Sequence, residues 1–324
     1  MCCTSGIAGE WAVAGTEYRV PSTEYQAPCG RIAIVLAPVM NSEATLMKRI
    51  VVWLQLGMLL LAVQAAHAAT FFKVDENVIE ERLHKAAGAN PAREATLKTL
   101  FAQAGCKDLS EEHVPRRLPN VVCVLPGESD RTIIVGAHFD KVDAGQGVVD
   151  NWSGASLLPS LYQSLANSPR RHTFIFVGFS AEEIGLIGSK HYVLHMTPEE
   201  RAKTDAMVNM DSLGLTPTKI WVSHSDPALV SDLAAVAQQS KLPVEGVDVD
   251  EVGSSDSESF ARRNIPHITI HSVTQDTLPI LHSTRDNFDA IQPKDYYDSY
   301  QLIAGYLVYL DANLGRTVKQ GGTN

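Results

Sequence analysis

Short apolar segments that end in polar, metal-seeking side chains constrain this chain more than any other feature of its sequence. Residues 131–135 are β-branched and apolar and follow a turn-like segment at residues 126–130, so they predict a buried strand. His138 and Asp140 lie at the carboxyl end of this predicted strand. Ligands of open α/β sheets bind at the carboxyl ends of the strands. The sequence therefore predicts a ligand site beside these two side chains.

The same arrangement occurs twice more along the chain. Residues 173–178 form a second apolar segment, which leads to Glu182 and Glu183, and residues 206–210 lead in the same way to Asp211. Segments with helical spacing of apolar side chains separate these strands. This alternation, without internal repeats, predicts a single α/β domain on a mostly parallel sheet that is covered by helices on both faces.

The predicted elements follow from the same patterns. We expect strands at residues 120–125, 132–138, 173–178, 206–211, 219–222 and 265–270. We expect two helices within residues 74–104, separated at Asn90 and Pro91, and further helices at residues 184–195, 226–240 and 294–314. Another helix is expected after Asp150, with Ser153 as its cap and with Pro159 kinking it or delaying its start.

The charge of the chain argues against one class of partner. Among its 324 residues, 27 are Lys or Arg and 37 are Asp or Glu, which gives a formal net charge of −10. Nucleic-acid-binding proteins carry a basic patch or stripe, and no long basic run is present here. We therefore expect no nucleic-acid partner. The oligomeric state is not predicted.

The N-terminal part of the sequence carries the pattern of an export signal. Met47 is followed by two basic residues and by an apolar run at residues 50–63, and Ala66, His67 and Ala68 supply a small-x-small cleavage site. We therefore interpret residues 1–46 as a spurious or unstructured leader, residues 47–68 as a signal peptide and residues 69–324 as a single folded domain. The mature protein is expected to be periplasmic or secreted, without stable membrane association. An uncleaved N-terminal anchor is the alternative.

The cysteines fit an exported protein. Of five cysteines, only Cys106 and Cys123 belong to the predicted mature chain. Two cysteines in an exported protein favour a disulfide. Two separate buried thiols are the alternative, because Cys123 lies within an apolar strand.

Seven polar residues at the predicted strand ends and in the following loops could hold metal ions. Crowded carboxylates repel one another unless cations separate them, and Zn²⁺ takes both His nitrogen and carboxylate oxygen. Two ions that are about 3.5–4 Å apart can share a bridging carboxylate. The set is large enough for such a dinuclear site, and comprises His138, Asp140, Asp150, Glu182, Glu183, Asp211 and His282.

Within this set, Glu182 and Glu183 are adjacent in the sequence. Successive residues of an extended segment point to opposite sides. We therefore expect one of the two to face a metal ion and the other to face the reacting water.

The sequence also resembles the co-catalytic dizinc aminopeptidases, whose relatives include aminopeptidase Y-like enzymes, glutamate carboxypeptidases and glutaminyl cyclases. The resemblance spans roughly residues 75 to 312. It rests on motifs in family order: His138-x-Asp140, Asp150-Asn151-x-Ser153-Gly154, Glu182-Glu183, Asn209-x-Asp211, Ser255-Asp256 with Phe260, and His282 with Asp286. It implies a zinc-exopeptidase-like three-layer α/β/α sandwich with a mostly parallel mixed central sheet.

The resemblance also implies roles for single residues. Asp150 would bridge two Zn²⁺ ions and would be joined to the next residue by a cis peptide bond. His138 and Asp211 would complete one zinc, and Glu183 and His282 the other. Glu182 would be the general base, and Asp140 would orient His138 through its other ring nitrogen.

The chain departs from the family pattern at Ser257, where a histidine is usual, and at Asn264, which replaces a glycine. Because asparagine tolerates the left-handed conformation, we expect the backbone at Asn264 to be retained. His271 is a candidate for the wall of the substrate pocket. The other histidines, among them His191 and His195, are expected to have structural roles.

The predicted function is that of an exported dizinc exopeptidase, which hydrolyses the N-terminal bond of peptide substrates through a metal-bridging hydroxide, with Glu182 as the general base. Within the same fold, a carboxypeptidase and a glutaminyl cyclase are the alternatives. A non-catalytic binding ectodomain is the alternative from a different class, and such modules lose metal ligands that this chain keeps.

Overall fold

The structure, a computed structural model, describes residues 11–13, 16–18, 71–249 and 253–315. The predicted signal peptide at residues 47–68 lies outside these residues. Two short strands, β1 (Trp11–Val13) and β2 (Thr16–Tyr18), form an antiparallel pair.

The part from residue 71 onward alternates strands with helices. The strands are β3 (Asp108–Glu112), β4 (Asn120–Leu125), β5 (Thr132–His138), β6 (Thr173–Phe179), β7 (Thr204–Met210), β8 (Lys219–Ile220), β9 (Glu245–Gly246) and β10 (His267–His271). The helices are α1 (Glu76–Leu83), α2 (Asn90–Gln103), α3 (Ser153–Ala166), α4 (Ile187–His195), α5 (Pro198–Lys203), α6 (Pro227–Ser240), α7 (Ser257–Ala261) and α8 (Pro293–Asn313). Within the described ranges, no helix is both long and apolar enough to cross a membrane.

Strands β3 to β10 form one mixed sheet in the order β3-β4-β6-β5-β7-β10-β8-β9. The four central strands, β6, β5, β7 and β10, are parallel to one another. β3 and β4 on one side and β8 on the other pair in the antiparallel sense. The carboxyl ends of the four central strands therefore meet at one edge of the sheet.

Adjacent residues of the central strands pack on opposite faces of the sheet. In β5, Ile133 and Val135 belong to a large core with side chains from α1, α2, α3, α6 and α8, whereas Ile134 belongs to a smaller core with side chains from α4 and α7. Because successive side chains of a strand point to opposite faces, helices cover both faces. The fold is thus the three-layer α/β/α sandwich that the sequence predicts.

Most predicted elements are confirmed, and several boundaries change. The strands expected at residues 206–211 and 265–270 are Thr204–Met210 and His267–His271. The helix expected from residue 184 begins at Ile187, because the chain first turns through Gly185 and Leu186, both with positive φ. The strand expected at residues 219–222 ends at Ile220, since a short 3-10 turn follows it. The polar edge strand β3 was not predicted, and its sequence lacks the apolar alternation that indicates a strand.

The predicted capping role of Ser153 is wrong. Ser153 is the first residue of α3, and its hydroxyl donates to the carbonyl of Val149 and accepts from the N–H of Leu213. Pro159 lies inside the helix and does not delay its start. Ser153 therefore ties the start of α3 to the loop after β7.

Cys106 and Cys123 form a disulfide, which settles the alternative that the sequence leaves open. The bond joins the segment after α2 to the buried strand β4. It anchors the side of the sheet on which β3 lies.

Candidate functional site

The seven polar residues that the sequence predicts lie together at the edge where the parallel strands end. His138 is the last residue of β5, and Asp140 follows it. The others lie in the segments after β6, after β7, before α3 and between β10 and α8; these are Glu182, Glu183, Asp211, Asp150 and His282. The parallel topology thus brings together side chains that are up to 144 positions apart, from residue 138 to residue 282.

Asp150 occupies the centre of the cluster. Its Oδ1 lies 3.2 Å from Nε2 of His138, and its Oδ2 lies 3.1 Å from Nε2 of His282. The peptide bond between Asp150 and Asn151 is cis, as the family resemblance implies. Each carboxylate oxygen therefore faces a different imidazole.

Two further carboxylates extend the cluster on either side of Asp150. Oδ1 of Asp211 lies 3.6 Å from Nε2 of His138, and Oε2 of Glu183 lies 3.0 Å from Nε2 of His282. Glu182 lies on the other side from Glu183, with its Oε2 4.0 Å from Nε2 of His138. The two adjacent glutamates thus approach different histidines.

The cluster gathers negative charge in a buried place. Burial, together with the charge of nearby carboxylates, raises the pKa of Glu182 to about 10 and that of Glu183 to about 7. A hydrogen bond to Asp150 raises the pKa of His282 to about 9. Burial would lower the pKa of His138, but the carboxylates around it, Glu182 foremost, raise it well above its usual value. The burial of these carboxylates therefore disfavours their charge unless a cation lies beside them.

Divalent metal ions fit the same cluster. One nitrogen or oxygen atom from each of His138, Glu182 and Asp211 lies within 4.8 Å of the others, and the same holds for His138, Asp150 and Glu183. Oε1 of Glu183 is buried and has no hydrogen-bond partner. Imidazole nitrogen with carboxylate oxygen is a donor set that Zn²⁺ accepts. The residues present can therefore hold zinc.

Asp140 differs from its expected arrangement. Nδ1 of His138 lies 3.2 Å from the backbone carbonyl oxygen of Asp140 but 3.7 Å from its carboxylate. The carboxylate instead accepts the N–H groups of Glu182 at 3.0 Å and of Glu183 at 3.3 Å. Asp140 therefore orients His138 with its backbone and holds the glutamate turn with its side chain.

Asn151 connects the segment of Asp150 to the end of β7. Its Nδ2 donates to the carbonyl of Met210, and its Oδ1 accepts from the N–H groups of Gly154 and Ser212. A Cβ atom at Gly154 would lie only 2.5 Å from that Oδ1. This close approach explains why glycine follows serine in the motif.

Two more side chains fix the predicted ligands, and the sequence does not reveal how they do so. Asp286 accepts the N–H groups of Val149 at 2.7 Å and of Asp150 at 3.2 Å. The hydroxyl of Ser255 donates to Oδ2 of Asp211 at 2.6 Å. Such partners of metal-binding side chains set their orientation.

Arg93 supports the backbone of the site, and sequence analysis misses it. Its side chain is fully buried and donates to the backbone carbonyls of Phe139, Gln146 and Gly147. Its guanidinium lies 5.2 Å from the ring of Trp152. Burial lowers the pKa of Arg93 to about 10. The sequence does not indicate that Arg93 is buried, because one arginine in an amphipathic helix is typical of its exposed face.

A cavity opens beside the cluster. His271 lines it, as expected, and is buried, with Nε2 donating to the carbonyl of Val247 and Nδ1 accepting the N–H of Val273. Burial lowers the pKa of His271 to about 4, so the ring is neutral near pH 7. Apolar side chains complete one wall, among them Trp221, Val249 and Leu281. At the other departure from the family pattern, before β10, Asn264 has the expected positive φ of 57°.

Comparison with known proteins identifies the relatives of this chain. The model of peptidase family M28 matches residues 120–307. Leupeptin-inactivating enzyme 1 of Streptomyces exfoliatus is 29% identical over 151 residues, which are 45% of this chain and 34% of that protein. Aminopeptidase YwaD of Bacillus subtilis is 26% identical over 179 residues, which are 53% of this chain and 39% of that protein. The chain thus spans well under half the length of these curated relatives.

Solved structures share the fold. The LapA aminopeptidase of Legionella pneumophila matches with a TM-score of 0.65 at 21% identity, over 74% of this chain and 73% of that one. A glutaminyl cyclase of an Acidobacteriales bacterium matches with a TM-score of 0.59 at 19% identity, over 73% of this chain and 93% of that one. At these identities, the likeness concerns the fold.

Proposed function

Because the chain belongs to peptidase family M28, we propose that it is a zinc-dependent aminopeptidase, which hydrolyses the N-terminal peptide bond of peptides. The observation that carries the proposal is the position of the Asp150 carboxylate between His138 and His282, with Glu182 on one side. Several relatives are named aminopeptidases, which supports the proposed reaction.

The proposed site holds two Zn²⁺ ions per chain. Asp150 would contact both ions, because its two oxygens face different imidazoles. His138 and Asp211 would complete one set of ligands, and Glu183 and His282 the other. When bound, the ions would lower the pKa of a water molecule and polarise the scissile carbonyl.

Glu182 is the proposed general base. Its side chain is 11% exposed, and it lies beside the proposed set of His138 and Asp211 without being needed as a ligand of that set. A carboxylate in this position can accept a proton from the attacking water and return it to the departing amine. Asp140, which accepts the N–H of Glu182, keeps the glutamate turn in place.

The charge of the cavity favours an amino end over a carboxyl end of the substrate. Among the described residues that line the cavity, none is Lys or Arg. A free C-terminal carboxylate would therefore find no Lys or Arg side chain there to pair with. A protonated N-terminus would meet carboxylates such as Glu182 and Asp211, which argues for an aminopeptidase rather than a carboxypeptidase.

Export is part of the proposal, with residues 47–68 as the signal peptide and residues 69–324 as a single zinc peptidase domain. The disulfide between Cys106 and Cys123 supports it, because such bonds persist in oxidising compartments. N-terminal sequencing of the exported protein tests it. A mature N-terminus before residue 47 would contradict it.

A panel of aminoacyl chromogenic substrates, with N-blocked versions as controls, tests the reaction. We expect cleavage of the free-amine substrates and none of the blocked ones. Equal cleavage of both would refute the aminopeptidase proposal, and cyclisation of N-terminal glutamine in place of hydrolysis would establish the cyclase alternative.

Two substitutions test the roles within the site. Glu182→Ala should retain the zinc content of the wild type and lose about 10²–10⁴-fold in kcat, because a general base is removed. Asp150→Ala should lose both active-site ions. Normal turnover of Glu182→Ala, or an unchanged zinc content of Asp150→Ala, would contradict these assignments.

A further inference from the structure

A second group of metal-binding side chains lies outside the site described above. His191 and His195 are four positions apart on α4, so they lie on the same face of that helix. Glu112, the last residue of the edge strand β3, faces them. One nitrogen or oxygen from each of the three lies within 4.8 Å of the others, and we name this group the Glu112 cluster.

The geometry of the cluster is that of ligands directed at a common point. Nδ1 of His191 lies 3.3 Å from Oε1 of Glu112, yet this nitrogen is buried and has no hydrogen-bond partner. In a tetrahedral zinc site with bonds of about 2.0–2.2 Å, neighbouring ligand atoms are about 3.4 Å apart. Close approach without a hydrogen bond is therefore what two ligands of one ion would show.

His195 is also oriented so that it can bind a metal ion. Its ring stacks on that of His191, with the centroids 3.9 Å apart. Nδ1 of His195 lies 2.8 Å from the carbonyl oxygen of His191. Because a carbonyl only accepts, Nδ1 carries the proton, and Nε2 of His195 presents its lone pair.

A buried amide orients the glutamate. Nδ2 of Asn120 donates to Oε2 of Glu112 at 2.7 Å, which leaves Oε1 for another partner. Asn120 is fully buried and is itself held by the carbonyl of Gly188 and the N–H of Ser180. Metal-binding carboxylates are commonly oriented by such outer hydrogen bonds.

We propose that the Glu112 cluster is a further metal site, which binds a borderline divalent transition-metal ion such as Zn²⁺ through Glu112, His191 and His195. Two histidines with one carboxylate form a donor set that zinc accepts, and the exposure of His195 leaves a coordination position open to water. His195 is also the last residue of α4, where the helix dipole favours a cation.

The bound ion would link α4 to the edge strand β3. α4 follows directly on the turn of Glu182 and Glu183, and Asn120 joins the cluster to Ser180 at the end of β6. Binding would therefore stabilise the segment that carries the glutamates. It would not add a group to the reaction itself.

Metal content after equilibrium dialysis of the full chain against Zn²⁺ tests the proposal. The wild type should bind one zinc ion more per chain than His195→Ala, and also one more than Glu112→Gln. His84→Ala is the matched control, because it removes another exposed histidine that faces a glutamate at i,i+4 spacing. This control should bind as much zinc as the wild type.

The additional ion should be independent of the catalytic site. It should persist in Asp150→Ala, and excess zinc should raise the Tm of the wild type and of His84→Ala more than that of His195→Ala. Equal zinc content in the wild type, His195→Ala and Glu112→Gln would overturn the proposal, whatever peptides the enzyme cleaves.

Discussion

Arg93→Met tests how the catalytic loop is held in place. The guanidinium of Arg93 donates to the carbonyls of Phe139, Gln146 and Gly147, which belong to the loop between β5 and α3. Methionine retains an apolar stem of similar reach but has no donor. The substitution therefore removes the side-chain donor of these carbonyls while it fills much of the same space. The carbonyl of Gly147 keeps a second donor, the N–H of Trp152 at 3.2 Å.

The expected loss of stability follows from the burial of these groups. Phe139 and Gly147 are buried, whereas Gln146 is exposed and can turn to water. The buried carbonyl of Phe139 loses its donor without a replacement, and an unpartnered buried carbonyl costs about 1–3 kcal/mol. The lost donation to Gly147 adds a smaller cost and the removal of a buried charge offsets part of the total, so we expect a net loss of about 2 kcal/mol in the free energy of unfolding. That is a large share of the ~5–15 kcal/mol that holds a typical protein folded.

Urea unfolding of the wild type and of Arg93→Met measures this loss. Arg82→Met is the matched control, because Arg82 is also buried but donates to the side chains of Ser160 and Gln163, which can find other partners. Arg82→Met should lower the free energy of unfolding clearly less than Arg93→Met does. Arg93→Met should also lower kcat by about 10–100-fold, since the loop carries Asp150 into the site. A change in unfolding free energy below about 1 kcal/mol, with unchanged kcat, would refute the role of Arg93.

Three further predictions concern the supports of the fold and the site. Cys106→Ser removes the disulfide with Cys123, which closes a loop with a sequence separation of 17. Because the unfolded chain is then less constrained, the free energy of unfolding should fall by about 3 kcal/mol in urea titrations. An unchanged midpoint of unfolding would contradict this. Burial would raise the pKa of Asp205, but hydrogen bonds, first from Arg131, hold the pKa below its usual value. The ionised carboxylate therefore stabilises the fold above pH ~4, and this stabilisation is lost as the pH falls further. In Tm measurements across pH, Asp205→Asn should weaken the fall in Tm below pH ~4. Asp286→Asn should lower kcat by about 10–100-fold and should also lower the Tm, because an amide cannot accept both buried N–H groups that the carboxylate holds. Unchanged kcat and Tm in the variant would exclude this role.

The sequence reveals the candidate ligands because each follows a recognisable strand. His138 and Asp211 come at the ends of apolar segments, and parallel strands that are joined by helices end at the same edge of a sheet. The order of strands is not needed for this inference, only their direction. For the same reason, the polar strand β3 and the exact start of α4 escaped prediction, since neither depends on an apolar pattern.

The side chains that hold the backbone of the site could not be predicted in the same way. Arg93, Asp140 and Asp286 act on main-chain carbonyl or N–H groups, and the sequence does not show which of these groups a side chain will reach. Asp140 shows the difference: its place in a motif suggests a contact with His138, yet its carboxylate holds the glutamate turn. Side chains that face the metal site can be exchanged without removing a support of the fold, whereas exchanging Arg93 affects the fold and the site together. Stability measured beside turnover therefore distinguishes the two groups, which turnover alone does not.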